Sequence, residues 1–544
     1  MLARRPVLLA FLLAAVLVFG VRSAAWVERE ASPLGDWHLW METDENAAVA
    51  SAARIARGNL LDDPAYRPWF SWQAGFGTPA DWDAVVPATV AYQGPGYPYL
   101  LALAGATGFG QVAVARLAQL LLAVAAAGVL AAACAALLLR SGRSGVPVVA
   151  AGVVAGALHG LYGPLVFLDG FLYRDGPVAH LSALLLAVPF LVAGPVRARQ
   201  GALLGLLAGL GALLKQTVLP LGLASGAVLA LRAGKGKERL RAAAAFAAAL
   251  LVALAPLVAR NAAVGAPLLA FDTRPLVGLP WANARGADGS VDPSPLLLDV
   301  LREARGSTLR AGLLTLATWR DDPGGLVKLL ARKLGSAFNG AEVPDNASFG
   351  FFRDRLPWLA RLPLFPCLIG TGIAGLLLAA RRGLFRTGEG ALVLLSGLVP
   401  LAACLMVSTT TRYRAGAAAP LALGTAVFAA LAFEAVRARK PFAVLPWAAL
   451  AAALVALALL PSPVRAYPWR WADTIVAATL AEARVSPEAG AAEIRRYVDE
   501  NRADPDRRRG LVAMDAWLTG GRRMVRMEPA GVAPGERRYD ASER

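Results

Sequence analysis

"VAVARLAQLLLAVAAAGVLAAACAALLL", residues 112–139, decides what kind of protein this is. The run contains one charged residue, Arg116. As an α-helix rising ~1.5 Å per residue it is about 42 Å long, more than the ~30 Å hydrocarbon core of a bilayer. Similar runs recur along the chain, at 6–25, 146–168, 176–195, 201–231, 242–258, 362–380, 388–407, 415–434 and 441–461. The composition agrees: 57% hydrophobic and 17% charged, where soluble domains carry about 25% charged residues. The chain reads as an all-α polytopic membrane protein.

The net charge of +17 sits in short loops between the runs, such as Arg4-Arg5, Arg140 with Arg143, Arg197 with Arg199, and Arg437 to Lys440. Those loops alternate with acidic or mixed ones. This is the positive-inside pattern and gives no reason to invoke nucleic acid. The run 201–231 is basic at both flanks, so a single crossing does not fit it. Two short spans turning at "LKQT" (214–217) do. The total is then eleven spans, with a cytoplasmic N-terminus, an uncleaved first helix and an external C-terminus. Residues 27–95, 260–358 and 462–544 share the outer side. Within 1–461, the first and second of these are loops of the transmembrane unit. The third is a small helical segment with a polar, disordered end from about Gly531.

The first outer stretch, 26–96, holds ten acidic residues against four basic. It is rich in Trp, and indole rings favour the headgroup level, so short helices lying along the membrane are expected. "YPYLLALAGATGFG" (97–110) is apolar but short, and reads as a re-entrant or interfacial helix. Cys134, Cys367 and Cys404 lie in apolar runs without CxxC spacing, which suggests packing rather than a disulfide or metal.

This topology gathers unusual polar residues on one side: Asp44 with Glu45, Asp169, Asp175, Lys215, Arg260 with Asn261, Glu342 with Asp345 and Asn346, and Arg412, Tyr413 and Arg414. A general base with cations that clamp a phosphate is the simplest chemistry that uses both signs of charge. Each residue also has a structural reading. Asp44 serves equally as an N-cap for 45–57, with Glu45 favouring the helix dipole. Asp169 and Asp175 read as loop residues, and Lys215, Arg412 and Arg414 as headgroup anchors. His38 reads as a surface residue. His159 and His180 receive no role. With no Gly-rich phosphate loop, a nucleotide site is not expected.

Order and context resemble the GT-C superfamily of membrane glycosyltransferases. The nearest group is the protein O-mannosyltransferase-like family 39, which includes the lipid A aminoarabinose transferases. "TDENAAVASAARIARGN" (43–59) is similar to the family's first-loop pattern, and "YQGPGYPYLL" (92–101), which contains Tyr97, to its Pro-Pro-x-Tyr-Pro stretch, with Gly94-Pro95-Gly96 replacing the Pro pair. "FLYRDGPVAH" (171–180) resembles the second acidic motif, and "APLVARNAAVGAP" (255–267) the Arg-Asn signature. "NGAEVPDN" (339–346) and "TTTRYRAGAAAP" (409–420) resemble the later elements.

The resemblance implies a polyprenyl-phosphate sugar donor and an acceptor hydroxyl on a protein, lipid A or another glycan. Transfer takes place on the outer face of the inner membrane, with inversion. It makes Asp44 the base, with Glu45 sharing its proton, orienting it or taking the base role itself, Asp175 a second acid of the site, and Lys215, Arg260 and Arg412 phosphate binders. Related enzymes differ in metal dependence, so a divalent ion stays open. A lipid or lipid-linked sugar flippase is the alternative. The Ala-, Gly- and Arg-rich composition suggests a high-GC bacterium.

Overall fold

The computed structural model describes residues 5–192, 196–233, 236–464, 470–501 and 514; the polar end expected from Gly531 lies outside them. The described chain is all-α. Its one β-type pairing is an isolated bridge between Val343 and Thr410.

An apolar helix stands at each expected position. Five stretches are long and apolar enough to cross a bilayer unaided: Arg5–Ala31, Gln111–Arg140, Lys237–Ala263, Glu389–Met406 and Thr411–Arg437. Val146–Gly160 and Gly163–Asp169 make a sixth if taken together, with a 50° bend. The rest are shorter, including Asp175–Leu191, Ala198–Leu214, Gln216–Arg232, Pro366–Arg381 and Leu445–Ala458. This is a multi-pass membrane protein. Length alone carries six of the eleven expected spans.

The main helices are α1 (Arg5–Ala31), α2 (Asp44–Ala56), α3 (Gly96–Ala106), α4 (Gln111–Arg140), α5 (Val146–Gly160), α6 (Gly163–Asp169), α7 (Asp175–Leu191), α8 (Ala198–Leu214), α9 (Leu219–Arg232), α10 (Lys237–Ala263), α11 (Arg274–Asn283), α12 (Leu297–Ala304), α13 (Thr308–Ala317), α14 (Pro323–Phe338), α15 (Pro366–Arg381), α16 (Glu389–Met406), α17 (Ala418–Arg437), α18 (Leu445–Ala458), α19 (Arg470–Arg484) and α20 (Pro487–Asn501).

Small residues set the packing. Lipid tails are as apolar as leucine, so membrane helices associate by close backbone approach rather than by escaping water. Gly152, Gly156 and Gly160 recur every fourth residue on α5. A Cβ there would strike Ala10, Ala14 and Val18 of α1 and the α4 backbone at Ala131 and Ala127. Gly201, Gly205 and Gly209 do the same for α8 on α10, and Gly372, Gly375 and Gly424 for α15 on α17. The α8–α9 pair folds back as expected. Ala208 meets Gly222 and Gly211 meets Val218, so the hairpin turns at Lys215. α3 is followed by a turn in which Gly108 and Gly110 take φ of +77° and +88°.

The indole rings of the first outer stretch pack mainly on protein. Trp37 is fully buried, with Phe352 4.8 Å away. Trp72 packs on Trp82 and on Trp281 of the second outer segment, at 5.4 and 4.3 Å. The amphipathic α12 adds Leu297, Leu298 and Leu301 to that cluster. The reason is that residues 27–95 and 260–358 cover each other. α19 and α20 dock on the same side: Arg484 donates to the Ser32 and Glu30 carbonyls, and Arg355 pairs with Glu493 at 2.9 Å. Cys367 is exposed, whereas Cys134 and Cys404 are buried.

Candidate active site

Asp44 does not cap its helix. The cap is Thr43, whose hydroxyl accepts from the Asn46 amide at 3.1 Å and donates to the Trp40 carbonyl at 2.9 Å. A cap of this kind satisfies an otherwise unpaired helix N–H. It leaves Asp44, the first helical residue, free to point elsewhere.

The Asp44 carboxylate is 4% exposed. Arg412 Nη1 donates to its Oδ2 at 2.5 Å, Arg274 is ion-paired to Oδ1, and the Tyr92 hydroxyl donates to Oδ1 at 3.0 Å. Arg412 also reaches Asp345 through Nε at 2.6 Å. Arg274 lies over the Tyr92 ring, 4.5 Å from its centre. Burial pushes the Asp44 carboxyl up, but Arg274 and Arg412 outweigh it and hold the group well below the usual carboxylate range, with Asn346 contributing. Asp345 goes the other way. Burial raises it despite Arg412, and the neighbouring Asp44 charge adds to the rise. Two carboxyls sharing one guanidinium are thus pushed apart, the arrangement that separates acid from base roles.

Beside this pair, Lys215 Nζ donates to Asp175 Oδ1 at 2.6 Å and lies 4.2 Å from the Tyr413 ring centre. Arg412 lies over the same ring at 5.4 Å. Three carboxylates, Asp44, Asp175 and Asp345, thus face three cations, Arg274, Arg412 and Lys215. A groove of about 470 Å³ opens from the charged end, at Asp175, Lys215, Arg412 and Tyr413. It continues between Val178 and Ala179 of α7, Leu221 of α9 and Val399, Pro400 and Ala403 of α16.

The loop geometry that brings these groups together is readable locally. Arg414 pairs with Glu342 at 2.6 Å, donates to the Ala341 carbonyl at 3.1 Å and to that of Asn339, and lies over Phe365. Tyr162 donates to Glu342 at 3.3 Å. With the Val343–Thr410 bridge, this ties 339–343 to 410–414, so that Arg412 and Asp345 come side by side. A Cβ on Gly94 would strike the Leu214 carbonyl, and one on Gly96 would strike Leu213. The Gly-Pro-Gly sequence lets this loop lie against the hairpin that carries Lys215.

Several sequence candidates lie apart from Asp44. Successive helical residues point ~100° apart, so Glu45 faces the bundle. It is fully buried, accepts from the Leu172 amide at 2.7 Å, and is raised by burial, with Arg116 and Arg29 opposing. Arg260 donates to the Leu61 carbonyl at 2.9 Å, to the Asp62 carbonyl at 3.3 Å, and to that of Thr89. Asn261 ties the Pro267, Leu268 and Ala270 carbonyls. Arg260 thus ties the end of α10 to residues 61, 62 and 89, and Asn261 holds the turn that follows α10. Asp169 is held by Arg22 and by His180 Nε2 at 2.8 Å, and His180 meets His159 at 3.2 Å, a chain buried within the bundle. Gln119 donates to the Asp169 carbonyl at 2.8 Å and accepts from Tyr97. His38 is half-buried, its carbonyl bonded by Asn46.

Sequence reasoning missed Arg274 and Tyr92. The signals were slight: an Arg preceding a Pro-initiated apolar helix ("RPLVGLPW", 274–281), and a Tyr two residues before Gly94. A divalent cation does not fit this centre, because the Asp44 and Asp345 oxygens face arginines. Among the described residues no group of three His, Cys, Asp or Glu is arranged to hold one.

No protein-family model and no curated protein matches the chain. Solved structures give distant likenesses. The apo oligosaccharyltransferase of Archaeoglobus fulgidus aligns over 88% of this chain and 59% of its own, at 15% identity and a TM-score of 0.40. The same organism's AglB, in complex with an inhibitory peptide and a dolichol-phosphate, aligns over the same shares at 16% and 0.34. ArnT from Cupriavidus metallidurans, bound to undecaprenyl phosphate, aligns over 79% of each chain at 17% and 0.31. The chain thus spans under two thirds of the length of the archaeal structures. Likenesses at this level leave the functional reading to the geometry of the site.

Proposed function

We propose that the protein is an integral-membrane glycosyltransferase that moves a sugar from a polyprenyl-phosphate donor to an acceptor hydroxyl on the outer face of a bacterial inner membrane. The observation that carries this reading is the groove with Lys215 and Arg412 at one end and apolar walls from α7, α9 and α16 along the rest. A phosphate on a long isoprenoid needs that combination: cations at the membrane edge and an apolar path into the bilayer. Asp44 stands across Arg412 from the groove.

In the reaction the acceptor oxygen forms a bond to the anomeric carbon as the bond from that carbon to the phosphate oxygen breaks. The acceptor proton goes to Asp44, and polyprenyl phosphate leaves with the electron pair, its charge met by Lys215 and Arg412. Attack opposite the leaving group inverts the anomeric centre. A carboxylate gripped by two arginines is a weak base. The donor phosphate resolves this by competing for Arg412, which loosens one grip on Asp44 when the substrate is in place. Asp175 positions Lys215.

A second reading, a flippase, draws on the Arg22–Asp169–His180–His159 chain inside the bundle, since buried ionisable groups in membranes mark transport paths. Incubating purified protein with a polyprenyl-phosphate sugar and analysing the lipid separates the two. A transferase consumes donor and releases polyprenyl phosphate. Chemically intact donor after prolonged incubation with acceptor extracts would remove the transferase reading.

A further inference from the structure

We infer that a second cavity, on the α2 side of Asp44, is the acceptor subsite and takes a neutral sugar; this rests on the transferase reading above. The recess spans about 500 Å³ with its open mouth included. It begins at Asp44. Tyr92, which donates to Asp44 Oδ1, forms part of its wall. Ala47, Ala48, Ser51 and Ile55 line it from α2. Their spacings of three, four, seven and eleven residues put them on the Asp44 face of the helix. The small side chains at 47, 48 and 51 leave a shallow floor.

The opposite walls carry the rings of Tyr66, Tyr92, Tyr97 and Tyr99. Pyranose rings present flat C–H faces that pack on aromatic rings and hydroxyls that need hydrogen-bond partners; Tyr92, Tyr97 and Tyr99 already donate to Asp44, Gln119 and the Leu60 carbonyl, so they offer ring faces and accepting oxygens. Gln93 also lines the cavity, and its amide nitrogen is buried with no partner, a donor placed for a ligand oxygen. The charged groups are already committed. Arg260 donates to main-chain carbonyls, and Asp62 accepts from Ser51 at 2.9 Å and faces Arg54 at 3.6 Å. No cation here is placed to take a phosphate. A peptide would need main-chain partners along an extended groove, and four rings and one amide do not provide them.

The two cavities therefore differ in kind, and each has one lining residue that bonds Asp44. Oδ2 faces the cationic donor groove through Arg412, and Oδ1 faces the tyrosine-lined cavity through Tyr92. An acceptor hydroxyl entering from the tyrosine side would displace the Tyr92 hydroxyl from Oδ1, which keeps Arg274, and deliver its proton there while its oxygen attacks the anomeric carbon from the face away from the phosphate.

The test uses the full chain in lipid nanodiscs and saturation-transfer NMR. The probes are methyl α-mannopyranoside, methyl β-glucopyranoside and a Ser/Thr-containing peptide; undecaprenyl phosphate binding is measured in parallel. The expected result is saturation of glycoside ring protons. The signal should be lost in Ala48→Phe, which fills the floor, and the affinity about tenfold weaker in Tyr99→Ala, which removes one ring. Undecaprenyl phosphate binding should be unchanged in both. If Ala48→Phe does not fold, Tyr99→Ala alone decides. Glycosides that give no saturation, glycoside binding untouched by Tyr99→Ala, or a peptide signal in place of a glycoside signal would each overturn the inference. Loss of undecaprenyl phosphate binding in the wild type, with glycoside binding intact, would instead count against the donor assignment.

Discussion

Replacing Asp44 by Asn tests the centre most directly. Asn is the same size and can still accept the Tyr92 hydroxyl, and because Thr43 is the cap, the start of α2 is untouched. What is lost is the charge between Arg274 and Arg412 and the capacity to take a proton. Breaking a buried ion pair costs ~3–5 kcal/mol when the surviving charge is left alone. Here Arg412 keeps Asp345 and Arg274 keeps the face of Tyr92, so the loss should fall below that range. Activity should fall by the ~10²–10⁴-fold that general base catalysis supplies. The assay is donor consumption by purified variant, with a thermal melt to show that it is folded. The wild-type pH profile adds a signed expectation. In the free enzyme Asp44 is held well below the usual carboxylate range and stays charged far into acid, so kcat/KM for donor should show no acid limb from it at ordinary assay pH. In the donor complex Arg412 is shared with phosphate, Asp44 rises, and the acid limb of kcat should lie at higher pH. A folded Asp44→Asn protein with turnover within a few-fold of wild type would refute the assignment of the base.

Arg412→Ala and Lys215→Ala should each weaken donor use by about one to two decades, the ~1.5–3 kcal/mol of a hydrogen bond to a charged group, measured as KM for donor at saturating acceptor. Arg260→Ala should behave differently: it frees three main-chain carbonyls and should lower the melting temperature while affecting donor and acceptor alike. Topology reporters at Gly77, Ala287 and Arg522 should all read outside; a cytoplasmic Ala287 with an external Gly77 would undo the two-span reading of 201–231.

How much was legible in the sequence follows the range of the interactions. The helices were, because an apolar run near 20 residues needs no partner to be recognised. The turn at Lys215 was legible from charge: two basic flanks cannot lie on opposite sides. The polar clusters were legible as a set, since ionisable residues at the ends of apolar runs are few. Which of them meet was not. Asp44 and Glu45 are neighbours in sequence but diverge by the helical twist. Arg260 and Arg412 look alike, yet one faces carbonyls and the other a carboxylate. Arg274 lies 230 residues from Asp44 at the start of α11, in a segment without a distinctive pattern, and only the fold of 260–358 over 27–95 brings it in. The buried His159–His180 contact is likewise a product of helix packing and left no local trace.

Asp345 supplies the last expectation. It shares Arg412 with Asp44, but burial raises it whereas Asp44 is held down. When a donor phosphate draws Arg412 away, both carboxylates lose a counter-charge. Asp345, already the more easily protonated, should take up the proton and leave Asp44 charged for its role. Binding that takes up a proton strengthens as pH falls, so undecaprenyl phosphate should bind more tightly toward acid than the phosphate's own titration dictates. The phosphate's second pKa of about 6 works in the opposite sense, because the dianion pairs better with cations. The Asp345→Asn variant keeps that phosphate contribution and removes the carboxyl. Its affinity should be higher near neutral pH, since Asp44 is then the one carboxylate still competing for Arg412, and it should weaken toward acid. Calorimetric titration in buffers of differing ionisation heat reads the proton count directly. Wild type should take up more protons per phosphate bound than Asp345→Asn. Equal proton uptake in the two proteins, with both folded, would show that Asp345 keeps its charge when the phosphate arrives, and the exchange of partners at Arg412 would have to be abandoned.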